Sequence, residues 1–195
     1  MFGITPVNII APTTVEADWI SAVERPAASP PTSTPTTKTF NYTIATRGTV
    51  VSDFAHFRAL VAATLNDSRG WPRANVKFQE VNSGGHFAVF LQEPAIFANY
   101  AGCDVELSCR YGNNIMINDD RWRFGTDHWT STGLPLDDYR RMIINHEVGH
   151  WLGHRHITTP CASTTIPMPL MIDSPLRPTC APNIWPLPEE LWTSR

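Results

Sequence analysis

HEVGHWLGHRH, running from His146 to His156, decides how the rest of the chain is read. Residues four apart share one face of a helix, so His146 and His150 can present their imidazoles to one metal ion with Glu147 beside them. If the helix ran on, His156 would be carried away from that face. Gly153 removes the difficulty, because a residue without Cβ can take the left-handed conformation that ends a helix and turns the chain back. Three protein ligands and one open position is the arrangement of catalytic zinc, whereas structural zinc is normally closed by four. One Zn2+ held by His146, His150 and His156 is therefore the expected cofactor, with Glu147 as the neighbouring general base. Five fixed positions at ordinary usage coincide by chance in about one chain in 10⁴ of this length, so the motif is specific. His154 also lies four residues after His150. Its spacing fits only a helix that continues through Gly153, and it is expected to be exposed or to support a ligand instead of binding metal.

Upstream of the motif, Pro135 suits a first helical position and Asp137 and Asp138 favour the positive end of a helix. Tyr139, Met142, Ile143, His146 and His150 then read as one inward stripe. Trp122, Phe124 and Trp129 precede it in an aromatic, turn-rich stretch and are expected to pack beneath the helix. Earlier still, Phe40 to Thr46 alternates as a strand, and Ser52 or Asp53 can cap a helix with Phe57, Leu60, Val61 and Leu65 at helical spacing. Val76 to Val81 and His86 to Leu91 read as two strands joined by the turn residues NSGG. A short helix around EPAIFANYAGC, then strands at Val105 to Tyr111 and Ile115 to Ile117, complete an α+β arrangement. Its expected form is a mixed, twisted sheet with two main helices, the second carrying the zinc motif. After His156 come five prolines from Pro160 to Pro178, which predict an irregular C-terminal lobe forming the lower wall of a cleft. IWPLPEELW closes the chain with a short helix.

H-E-x-x-H-x-x-G-x-x-H is the signature of the metzincin zinc peptidases, whose metal lies above a methionine turn. Met168 and Met171, in PMPLMIDSPL, both suit that turn. The longer pattern YRRMIINHEVGHWLGHRH, a cysteine, PLM and CAPNIWP resembles a family of secreted metallopeptidases known mainly from actinobacterial sequences. The resemblance covers roughly residues 38 to 188, and by its Pro-apolar-Met pattern it selects Met171. It implies a metzincin-like fold and an edge strand, Glu106, Leu107, Ser108, Cys109 and Arg110, to which an extended substrate adds its backbone. Astacin-like and serralysin-like members carry a tyrosine two residues after the methionine. Here that position is Asp173. The expected activity is zinc-dependent hydrolysis of peptide bonds, with an edge strand and open cleft pointing to an endopeptidase. A zinc-containing binding or adhesion module with little turnover is the alternative, and the complete set of ligands and base weighs against it.

The 195 residues suit one domain with tails. A net charge of −3 offers no basic field for nucleic acid, and no stretch approaches the ~20 apolar residues of a spanning helix, so the expected partner is a protein or peptide substrate met by a monomer. Cys103, Cys109, Cys161 and Cys180 allow three pairings, of which Cys103–Cys109 with Cys161–Cys180 is the most local. None has C-x-x-C spacing. With zinc assigned to histidines, two disulfides and a secreted or extracellular location are expected, although MFGITPVNIIAPTT lacks the charged opening and unbroken apolar run of an export signal. Residues 1–25 form a weakly patterned segment that carries no cysteine to act as a switch ligand. Residues 26–38 read as a Pro/Ser/Thr-rich linker and 39–195 as the metallopeptidase domain.

Overall fold

The computed structural model describes residues 37–195; the segment over 1–25, and all of the expected linker but its last two residues, lie outside the described residues. Strand β1 spans Lys38–Arg47, beginning one residue before the expected start of the domain, and turns Phe40 and Tyr42 into the core. Helix α1, Phe54–Leu65, is capped by Asp53, whose Oδ1 accepts from the amides of Ala55 at 2.8 Å and His56 at 3.3 Å. Phe57, Leu60, Val61 and Leu65 form its buried face.

Strands β2 (Val76–Glu80) and β3 (Phe87–Gln92) follow, but they are not neighbours. β2 runs parallel to the first half of β1, from Lys38 opposite Val76 to Tyr42 opposite Glu80, and β3 runs parallel to its second half, from Tyr42 opposite Phe87 onward. The NSGG connection therefore crosses β1 instead of closing a hairpin. Gly85 sits at the crossing, where a Cβ would lie 3.0 Å from the Thr43 nitrogen and 3.1 Å from the Tyr42 carbonyl carbon. Turn residues signalled a reversal; the physical requirement was close passage over another backbone.

β5 (Asn114–Asn118) is parallel to β3, and β4 (Cys109–Tyr111) lies antiparallel to β5 at the sheet edge, giving a five-stranded mixed sheet in the order β2-β1-β3-β5-β4. The strand expected from Val105 is thus shorter by four residues. The Cys103–Cys109 disulfide closes a small loop there, the Asp104 carboxylate accepts from the Glu106 amide at 2.8 Å, and Asn118 Nδ2 donates to the Val105 carbonyl at 2.7 Å. Backbone groups satisfied inside a turn have no need of a ladder. The helix expected around EPAIFANYAGC is a 3₁₀ segment, Pro94–Asn99.

Two short helices, α2 (Asp119–Phe124) and α3 (Asp127–Ser131), lead to α4, Leu136–Leu152. Trp122 and Trp129 are buried as expected, whereas Phe124 is 58% exposed beside the Arg123 guanidinium. Pro135 stands one residue before α4, at the cap position and not the expected first helical one, and makes no side-chain cap bond, while Asp137 and Asp138 occupy the first turn. The single inward stripe proves too narrow a description, since every residue from Met142 to Gly149 is buried. On the sheet side, the Trp151 ring packs against Phe87 at 4.5 Å and Phe40 at 5.0 Å. Toward the lobe, Asn145 Nδ2 donates to the Ile184 carbonyl at 3.1 Å. α4 is a central helix between two layers.

From Ile157 onward the chain has two isolated bridges and two 3₁₀ segments, Ser174–Thr179 and Pro188–Glu190, and it is tied by the Cys161–Cys180 disulfide. This is the irregular lobe that the prolines predict. The expected closing helix is reduced to the turn Pro188–Glu190.

Candidate metal centre

α4 ends where the motif requires. Gly153 has φ 117° and ψ 0°, its amide donates to the His150 carbonyl at 3.3 Å, and the His154 amide donates to the Gly149 carbonyl at 3.0 Å. This paired closure satisfies the last helical carbonyls and reverses the chain. His156 is brought back so that its Nε2 lies 3.2 Å from His146 Nε2 and 3.0 Å from His150 Nε2.

Three nitrogens on one tetrahedral zinc stand about 3.3 Å apart, close to the two spacings measured from His156. The opposite side of each ring explains why the Nε2 lone pairs point inward. His146 Nδ1 donates to the Leu170 carbonyl at 2.7 Å, His150 Nδ1 donates to the His154 carbonyl at 3.0 Å, and His156 Nδ1 is 3.6 Å from Asp173 Oδ1. With the proton held on Nδ1, Nε2 is the free ligand atom. Burial, reinforced by the Arg177 charge, depresses the His146 pKa well below its usual value. Burial also takes His150 down to about 4 and lowers His156. All three rings are therefore neutral at pH 7, the form that binds metal. His146, His150 and His156 form the one such cluster among the described residues, and they could hold a metal ion.

Glu147 projects beside them, 5% exposed, with Oε2 buried and unpartnered. Burial pushes its pKa up to about 8, against the opposing charges of Arg177 and Arg110. A cation on the histidines would pull it down again.

Residues outside the motif support it, and of these Glu190 carries no sequence pattern. Met171 is 1% exposed and lies against Gly149, where a Cβ would overlap its sulfur and stand 2.8 Å from Trp71 Cζ2. The second variable position of the histidine motif is thus fixed by the methionine beneath it. Met168 is also buried, and its amide pairs with the Ala181 carbonyl. Glu190, 3% exposed, accepts from the amides of Leu170 (3.0 Å), Met171 (2.8 Å) and Leu187 (2.8 Å). It fixes the segment whose carbonyl holds His146. His154 is neither exposed nor aimed at the cluster. It is buried between Trp71 and Trp192, with its ring on the Trp192 carbonyl and its own carbonyl on His150.

The cluster opens into a cavity of about 290 Å³. Of the residues expected as a substrate strand, Leu107, Ser108, Cys109 and Arg110 line it, but only Cys109 and Arg110 belong to β4. Glu106 turns away to pair with Arg121 at 2.6 Å. Tyr139 and Arg177 line the cavity too; burial raises the Tyr139 pKa to about 12 and lowers that of Arg177. Arg177 lies in a proline-rich turn without periodicity, and no local signal marks it in the sequence.

Fold and site together define an α+β protein with a three-histidine cluster that could hold a metal ion, beside a buried carboxylate. Residues 14–179 match the family described as "Protein of unknown function (DUF3152)", and the chain belongs to that family. No curated protein matches it. The two disulfides suit an oxidising or extracellular environment. Among the described residues no helix is long and apolar enough to cross a membrane.

Proposed function

We propose that this protein is a secreted, metzincin-like zinc peptidase. The observation that carries this reading is the convergence of three imidazoles, with His156 Nε2 at 3.2 Å from His146 Nε2 and 3.0 Å from His150 Nε2 and all three ligand atoms within 4.8 Å of one another, beside the unpartnered Oε2 of Glu147. His146, His150 and His156 would hold zinc, with the methionine turn at Met171 behind Gly149. When bound, zinc supplies Lewis acidity, which acidifies water and polarises a carbonyl group.

The chain's own residues supply the rest. The Leu170 and His154 carbonyls keep His146 and His150 in the ligating tautomer, and Asp173 lies 3.6 Å from His156 Nδ1. Glu147 takes the proton of the attacking water on Oε2, holds it in a site that burial makes basic, and returns it to the leaving amine. Among the described residues β4 leaves one edge unpaired beside the cavity, so an extended peptide can add to Cys109–Tyr111 and continue past the histidines on both sides. That arrangement supports cleavage within chains.

Glu147→Gln keeps shape and removes the base. With zinc content unchanged, it should lower kcat against a broad peptide library by about 10²–10⁴-fold. Turnover at the parental rate would dismiss Glu147 from this role. A zinc-loaded wild-type protein that cuts no peptide would overturn the peptidase reading.

A further inference from the structure

Five arginines of the fold sit on a carboxylate within 3.3 Å: Arg58 on Glu80, Arg69 on Asp67, Arg121 on Glu106, Arg140 on Asp137 and Arg141 on Asp138. Arg110 and Arg177 differ from them. Neither forms an ion pair among the described residues, and the Nε of each is buried without a hydrogen-bond partner. Arg110 has one weak bond, from Nη1 to the Gly112 carbonyl at 3.4 Å. Both line the same cavity, Arg110 from β4 and Arg177 from the lobe, and the histidine cluster lines it with them.

The acids nearby do not complete these sites. The Asp104 carboxylate accepts from the Glu106 amide, Asp173 faces His156, and Glu147 leaves Oε2 without any partner. A guanidinium remains charged at every physiological pH and presents five donors in a planar fork that matches a carboxylate. Withdrawing such a group from water without an anion is unfavourable, so two of them on one cavity mark a place where an anion completes the structure.

We infer that Arg110 and Arg177 bind a carboxylate of the substrate, so that the cavity selects peptides carrying a negative charge beside the cleaved bond. This assignment rests on the peptidase reading. Two parts of a peptide supply that group, an acidic side chain within the chain and the free C-terminus.

The test compares matched peptides that differ only in Glu against Gln at each position, and in free against amidated C-terminus, with the zinc-loaded full chain. The kcat/KM of the better acidic peptide should exceed that of its neutral partner about tenfold to a hundredfold. In Arg110→Gln and Arg177→Gln this ratio should fall toward one, with Arg177→Lys partly restoring it. A purely structural role would lower both substrates together and leave the ratio intact, which overturns the assignment, as does a wild-type ratio of one. Preference for an internal Glu identifies the side chain as the source; preference for the free acid identifies the terminus and makes the enzyme an exopeptidase.

Binding to zinc-loaded Glu147→Gln, measured by calorimetry with the same peptides, separates this inference from the activity. Charge-dependent binding that both arginine substitutions weaken about tenfold upholds the carboxylate site even if no peptide is cut. Equal binding of acidic and neutral peptides removes it even if cleavage is found. A carboxylate held by the metal alone would bind the arginine variants as tightly as the parent, and that result also overturns the proposal.

Discussion

The sheet with its two long helices and the lobe after Ile157 solve the problem of stability in different ways. In the first region order is distributed: ladders join five strands, and Phe57, Leu65, Phe87, Val89, Ile115 and Trp151 share one continuous apolar core. In the second, Met168, Leu170, Met171 and Ile172 join that same core, but with no ladder or helix to place them single groups do the work of whole elements. Glu190 satisfies three amides, Cys161–Cys180 closes the loop, and the Leu170 carbonyl orients His146. A metal site needs both kinds of order. The helix gives His146 and His150 a fixed spacing, while the lobe fixes the tautomer of His146 and carries Asp173 and Arg177. Damage to the first region away from α4 should therefore cost stability alone, and damage to the second should reach the metal as well.

The largest effect that would sharpen this contrast is expected from Glu190→Ala, which leaves two buried amides and one half-buried amide without an acceptor and should cost about 4 kcal/mol. Calorimetric unfolding should be accompanied by a 10–100-fold loss of zinc affinity, because the segment that orients His146 is released. Leu65→Ala, in the fully buried face of α1, should cost about 3 kcal/mol by leaving a cavity, yet zinc titration should match the parent. If the two variants lose zinc affinity equally, the division between the regions is wrong.

Gly149→Ala stands at the boundary. Its Cβ would overlap Met171 and crowd Trp71, so about 2 kcal/mol of destabilisation is expected, with a measurable fall in zinc affinity as the methionine is displaced. The smallest effect concerns acid and the metal-free protein. His150 has a folded pKa of about 4 against an ordinary 6.5, and His146 and His156 shift the same way. The unfolded chain thus binds more protons between those values, so these groups remove stability as pH falls from 6.5 toward 4. Glu147 acts in the opposite sense, since its folded pKa near 8 exceeds the ordinary 4.5; its contribution is present below 4.5 and lost as pH rises through 8. Chelated wild-type protein should consequently lose Tm toward both ends of this range. In chelated Glu147→Gln the decline above 4.5 should vanish and the acid decline persist.

Legibility in the sequence follows the same division. Elements with their own period, β1, α1 and α4, could be read directly, because alternation and helical spacing record which face is buried. The NSGG connection was misleading because a chain that crosses a strand uses the same small residues as one that turns back. The substrate strand was drawn too long because Asp104 and Asn118 capture the preceding backbone, and such capture depends on partners elsewhere in the chain. Arg177 and Glu190 left no trace, since a lone charged residue among prolines has no periodicity to betray its burial.

By itself the sequence determined the spacing of His146, Glu147 and His150 and the break at Gly153 that returns His156; these rest on helical geometry and on conformational freedom, which are local, whereas four cysteines left three pairings open until the fold chose Cys103–Cys109 and Cys161–Cys180. The tertiary structure alone decided which carbonyl or carboxylate faces each imidazole, why Gly149 admits no side chain, and which arginines line the cavity. Those outcomes depend on groups tens of residues apart meeting in a low-dielectric interior, where an unpaired donor or charge is too unfavourable to leave in place without a function.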